Sequence, residues 1–130
     1  MKKGAAAVGG ITLLLLLLIP VEEPQITTQH GLALYHDPNL EWDCTSLDWG
    51  TLTPESSKSI ITYLIANSNA TVAFTSRDWN PAQAESCLTL TWNITGYAQA
   101  NTTTPVMWTL YAQPNITILT FTFKINITIV

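Results

Sequence analysis

Leu88-Thr89-Leu90-Thr91-Trp92-Asn93-Ile94-Thr95 decides the fold. Leu88, Leu90, Trp92 and Ile94 fall on one side of an extended chain, and Thr89, Thr91, Asn93 and Thr95 on the other. A period of two marks a strand with one buried face. The alternation returns in Val106, Trp108, Leu110 and Ala112. It is longest in the final segment, where Leu119, Phe121, Phe123, Ile125, Ile127 and Ile129 alternate with Thr120, Thr122, Lys124, Asn126, Thr128 and Val130. A twelve-residue strand extends roughly 40 Å, about twice the commonest length. Two readings follow: a long final strand crossing the domain, or an assembly strand that pairs in part with a neighbouring subunit, because a long apolar edge invites a partner.

Outward from these segments, short β-prone runs alternate with turn residues, as in a sandwich. Gly31 to His36 is predicted as the first strand, ended by Asp37-Pro38-Asn39, and Ser46 to Leu52 as the second, ended by Thr53-Pro54-Glu55-Ser56-Ser57. Lys58 to Ala66 and Ala70 to Ser76 follow, joined by the turn Asn67-Ser68-Asn69. Asn80-Pro81 has the form of a helix cap and first-turn proline, which predicts one helical turn over Ala82 to Ser86. Gly96 to Pro105 is expected to be a polar loop.

The 130 residues suit one domain. Charged residues are only 11% against 47% hydrophobic, and Thr and Ser supply about a fifth of the chain. Five Lys and Arg face nine Asp and Glu, for a net charge of −4, which excludes a basic nucleic-acid binder.

The N-terminus carries an address. Lys2 and Lys3 precede the uncharged stretch Gly4 to Val21, and Glu22 and Glu23 close it. Eighteen residues of helix rise about 27 Å, close to the thickness of a thin hydrocarbon core. The lysines on the near side place the rest of the chain outside the cell. A cleaved secretory signal, a retained anchor and a pilin-type leader cut after Gly4 all fit this start. The expected organisation is a signal or transmembrane segment over residues 1–21, a polar spacer over 22–30 and a β-domain over 31–130.

Export also gives meaning to two other features. Cys44 and Cys87 are the only cysteines and are expected to form a disulfide. Closing a loop of about 43 residues would stabilise the fold by on the order of 4 kcal/mol in the chain-entropy model. Asn-x-Ser/Thr occurs at Asn69, Asn93, Asn101, Asn115 and Asn126, which points to N-glycosylation.

Leu47-Asp48-Trp49-Gly50-Thr51-Leu52-Thr53-Pro54, Ser57-Lys58, Asn67, Trp79-Asn80-Pro81 and Leu88-Thr89-Leu90-Thr91-Trp92 carry a resemblance. The chain resembles small archaeal exported or membrane-anchored proteins built from one immunoglobulin-like sandwich. The similarity covers roughly residues 31 to 130 and includes the N-terminal apolar segment. That pattern has glycine after the proline of the turn; Glu55 stands there in this chain. The resemblance implies an all-β, immunoglobulin-like antiparallel sandwich held by one N-terminal hydrophobic helix.

No local motif of nucleophilic, metal-dependent or phosphate-binding chemistry is present, and the protein is read as non-enzymatic. His36 and Asp37, with Glu41, Asp43 and Asp48, have the chemistry of a cation site but not the spacing of a calcium loop, so no metal or cofactor is expected. Trp92 and Trp108 are expected in the core. Trp49 and Trp79 follow aspartates in similar contexts and are expected to cap one end of the sandwich, leaving Trp42 as a possible sugar platform. The function expected is that of a structural or surface-contact protein of the cell envelope, membrane-anchored or secreted. Its partners would be the membrane, through the helix, and copies of itself or other envelope proteins. The alternatives are a subunit of an extracellular filament and a sugar- or metal-binding module.

Overall fold

A computed structural model describes residues 18–94, 96–116 and 120–130. Ten strands and one helical turn follow in order: β1 (Ile19–Pro20), β2 (Gln25–Thr28), β3 (Leu32–Tyr35), β4 (Thr51–Leu52), β5 (Ser57–Ala66), β6 (Ala70–Asn80), α1 (Ala84–Cys87), β7 (Leu88–Trp92), β8 (Tyr97–Ala98), β9 (Thr104–Ala112) and β10 (Thr122–Ile129). The chain is therefore all-β. One four-stranded sheet has the order β2-β10-β6-β8, a second has the order β3-β5-β9-β7, and β1 pairs with β4. Every strand pair is antiparallel except β2 and β10, which run parallel.

Alternation drives the layering. In β7 and β9, Leu88 pairs with Ala112, Leu90 with Leu110 and Trp92 with Trp108, so their apolar side chains share one face. Phe74 of β6 meets Trp108 edge-on at 5.3 Å and Trp92 at 5.6 Å, which joins the two sheets. Phe121, Phe123, Ile125 and Ile127 are all essentially fully buried in the same core. Burial of each such side chain contributes about 1.5–3 kcal/mol. Trp108 lies on Thr62: its indole N–H donates to Thr62 Oγ1 at 2.8 Å, and that hydroxyl donates to the Val106 carbonyl at 3.3 Å. Both polar groups are thereby satisfied within the core.

Several expectations need correction. Residues 22–30 are not a spacer. Gln25–Thr28 forms β2, and Ile19, Val21 and Ile26 belong to the core, so the domain starts about a dozen residues earlier than residue 31. The cause is the exposed flank that β10 would otherwise present: β2 pairs with Lys124 to Ile127 and supplies the missing hydrogen-bond partners. The expected second strand over Ser46 to Leu52 shrinks to Thr51–Leu52, because Asp48 turns the chain by accepting from the Gly50 amide at 2.9 Å. The helical turn moves to Ala84–Cys87 because β6 continues to Asn80, which pairs with Thr122 and follows the strand rather than capping a helix. Gly96 to Pro105 holds the short strand β8 and the first residues of β9.

An extra residue in β6 decides where Trp79 points. Thr122 pairs with Asn80 and Lys124 with Arg77, so three steps on β6 match two on β10. Asp78, at φ 55, takes up the difference as a bulge. Trp79 is thus turned inward to stack on Phe123 at 4.1 Å and 6°.

Glu55 occupies the glycine position of the turn pattern with φ 62. A side chain is disfavoured in this left-handed region, so Glu55→Gly is expected to stabilise the domain by about 0.5–1 kcal/mol. A higher urea midpoint at unchanged m-value checks this.

Candidate functional site

The domain has two distinct ends. At the entry end Leu18 is half exposed and the chain passes at once into β1, pairing Ile19 with Leu52 and Pro20 with Thr51. The Val21 amide donates to the Gly50 carbonyl at 2.8 Å, and Val21 bridges Phe121. Trp49 and Trp79 both stack with Phe123 here, at 6.2 and 4.1 Å. The Trp49 indole N–H is buried without a partner. Asn115 lies in an exposed loop at the same end, just after β9.

The far end is built from the turns that join β2 to β3 and β5 to β6, the loop before β9, and the C-terminal residue Val130. Asn67 and Asn69 occupy the β5–β6 turn, and both are exposed. Asn69 Oδ1 accepts from the Ala100 amide at 2.7 Å, which ties this turn to the loop carrying Asn101. The Asn101 amide donates to the Ala66 carbonyl at 2.8 Å, with its own φ at 54. Gly31, Ala33, Ile65, Asn67 and Asn101 border a shallow hollow between these turns.

Asn93 follows β7, and its Oδ1 accepts from the Met107 amide at 2.7 Å. In both Asn69 and Asn93 the side-chain carbonyl oxygen holds a backbone amide, and among the described residues Nδ2 makes no hydrogen bond. Asn69, Asn93 and Asn101 are thus exposed and toward the far end. Asn126 differs: it lies half-buried in the middle of β10 between Thr27 of β2 and Thr75 of β6. With its amide oxygen and nitrogen exchanged, Asn126 accepts from Arg77 Nε at 3.2 Å.

The assembly-strand residues form one row. Phe121, Phe123, Ile125 and Ile127 are buried and Ile129 packs against the core, while Leu119 lies outside the described residues. β10 has β6 on one side and β2 on the other, so it is an internal strand.

The expected Cys44–Cys87 disulfide is not made in this structure; both are free thiols. Cys44 donates its amide to Leu34 of β3, whereas Cys87 precedes β7 at the opposite edge of the same sheet. With β5 and β9 in between, strand spacing alone separates them by about 15 Å or more, against at most about 7 Å between the Cα atoms of a bridge. Burial pushes the Cys44 thiol up to about 11, partly opposed by hydrogen bonding with the Ser46 backbone. A thiol reagent at pH 8 is therefore expected to modify half-buried Cys87 rapidly and Cys44 only as the protein unfolds, which mass spectrometry after alkylation checks. The folded value lies above the ordinary 9.0, so this group's contribution is full below pH 9 and declines as pH rises through 11.

The His36 and Trp42 rings meet at a 39° tilt with centroids 4.3 Å apart on an exposed loop, with Trp42 66% accessible. The Asp37 carboxylate organises that loop by accepting from the Glu41 and Trp42 amides at 3.1 and 2.9 Å. It is spent on its own turn. Among the described residues no three His, Cys, Asp or Glu side chains converge on a point that would hold a metal ion. No helix among them is long and apolar enough to cross a membrane.

Comparison with family models, with curated proteins and with solved structures finds no match for this chain.

Two features of the surface escaped the sequence reading. The polarity of the sequons needs the strand directions. The role of β2 had a signal in the alternating β-branched run Gln25-Ile26-Thr27-Thr28, but the neighbouring Glu22, Glu23 and Pro24 concealed it.

Proposed function

We propose that this chain is an exported, non-enzymatic surface domain with an immunoglobulin-like sandwich, glycosylated toward the end remote from its point of attachment or processing. The observation that carries the reading is the polarity of the domain. The N-terminal apolar segment enters at one end, and Asn69, Asn93 and Asn101 lie toward the other. A domain displayed on a cell or released from it presents sugar outward in this way.

The strand order supports the fold assignment. β3-β5-β9-β7 corresponds to the four-stranded A-B-E-D sheet, and β10-β6 to neighbouring F and C. The departure lies beside F, where the parallel β2 occupies the place of a last strand.

The boundary at Ile19 bears on the leader. Ile19 and Val21 are core residues, so the apolar stretch available outside the domain is Gly4 to Leu18. Fifteen helical residues rise about 22 Å, short of the usual spanning length of about 20 residues and within the range of a secretory signal core. This favours export with processing upstream of Ile19 over a retained anchor. The filament reading gains no support from β10, which is paired on both sides.

The test is intact and chemically deglycosylated mass of the protein recovered from its native cells, taken separately from membranes and medium. The expected result is a chain starting at or before Ile19 with sugar on at least two of the five sequons. An unmodified, full-length chain confined to the cytoplasm would overturn the proposal.

A further inference from the structure

The outer face of the β3-β5-β9-β7 sheet is unusual in composition. Tyr35 pairs with Tyr63, Ile61 with Met107, and Thr91 with Thr109, all on that face. None of these side chains is charged. Ile61 and Met107 lie side by side with 51% and 38% of their surface accessible. The opposite sheet differs, since its outer face carries Lys124, Arg77 and Asp78, with Lys124 Nζ 3.8 Å from the Asp78 carboxylate. An exposed apolar pair beside hydroxyls offers a contact for an amphipathic cover.

Asn93 is the residue that reaches this patch. It directly follows Trp92, whose partner is Trp108, and its Oδ1 accepts from the Met107 amide at 2.7 Å. The side-chain amide is fixed through its oxygen at the border of the patch, and among the described residues its Nδ2 has no hydrogen-bond partner.

We infer that an N-linked glycan on Asn93 lies over the Ile61–Met107 pair and shields this sheet face. The inference rests on the glycosylated reading above and adds which sequon is used and what its sugar covers. The attachment is a glycosyl transfer. Nδ2 bonds to the anomeric carbon of a lipid-linked oligosaccharide, the phosphate-bearing lipid leaves, and one Nδ2 proton passes to the transferase. Sugar rings present apolar C–H faces and hydroxyls together. An uncharged apolar pair with flanking Tyr and Thr hydroxyls matches both; the carboxylate on this face, Asp43, sits at the β3 edge beside Tyr35.

Met107 provides the probe, because the only other methionine is Met1. Native glycosylated protein is compared with Thr95→Ala, which destroys the sequon but retains Asn93 and its bond to Met107. Both are treated with hydrogen peroxide, and sulfoxide at Met107 is followed by peptide mass. The unshielded chain is expected to oxidise at least about fivefold faster. If that variant fails to fold, the wild-type chain made in a host lacking N-glycosylation takes its place.

Sugar at Asn93 with slowed oxidation supports the inference. Sugar on other sequons but not Asn93, or on Asn93 with equal oxidation rates, overturns it while leaving the glycosylated reading intact. A dimer that protects Met107 without sugar at Asn93 overturns it in favour of a second copy as the cover. Absence of sugar from every sequon removes the underlying reading as well.

Discussion

A chain beginning at Gln29 is expected to lose its cooperative unfolding transition and to self-associate through the uncovered strand, whereas a chain beginning at Leu18 keeps its transition and that strand covered. The shorter chain lacks Ile19, Val21 and Ile26, each with less than a tenth of its surface exposed, and Pro24, which is fully buried. At about 1.5–3 kcal/mol for each large side chain, their loss approaches the whole stability of a domain this size, about 5–15 kcal/mol. The truncation also uncovers the backbone of β10 from Lys124 to Ile127, which now pairs with β2. An open, apolar strand edge recruits another chain. Far-UV circular dichroism through a urea titration, with size-exclusion chromatography, reads both effects. If the chain from Gln29 were monomeric with an unchanged midpoint, β2 would not be part of the fold. For the export proposed above, the result would place any cleavage upstream of Ile19.

Trp108→Ala is expected to cost about 4 kcal/mol, the largest effect of any single substitution considered. Trp108 is completely buried at the junction of the two sheets, against Phe74 at 5.3 Å and Trp92 at 6.0 Å. Its removal leaves a cavity that the paired strands β5 and β7 on either side of β9 cannot close. Thr62→Val separates the polar contribution from the volume. It keeps the size but strips the acceptor from the indole N–H, with an expected cost of about 1–3 kcal/mol. Urea denaturation of both variants distinguishes the two contributions. Equal losses would show the hydrogen bond, and not packing, to dominate at this site.

The inner faces of the sheets were legible residue by residue. Val106, Trp108, Leu110 and Ala112 are all fully buried, as their alternation requires. A local period of two specifies which side chains share a face regardless of which strand lies next door. Strand adjacency is another matter. The pairing of Gln25–Thr28 with Lys124–Ile127 joins residues about a hundred positions apart, and no local pattern encodes it.

The sites divide in the same way. The five sequons are strings of three residues and were visible at once, but strand direction puts Asn69, Asn93 and Asn101 toward one end and leaves Asn126 in mid-sheet. The cysteine pair shows the limit of counting. Two thiols in an exported chain suggest a bridge, yet Cys44 and Cys87 sit at opposite edges of a four-stranded sheet.

By itself the sequence determined the β class and the composition of the core faces, because each depends on side-chain chemistry at short range. Only the tertiary structure decided where the domain begins, that β10 is internal, that the thiols are apart and that Asn93 borders the exposed Ile61–Met107 pair. Those follow from backbone hydrogen bonds between distant segments, which form wherever a buried or edge amide needs a partner and carry no signature in the residues that supply them.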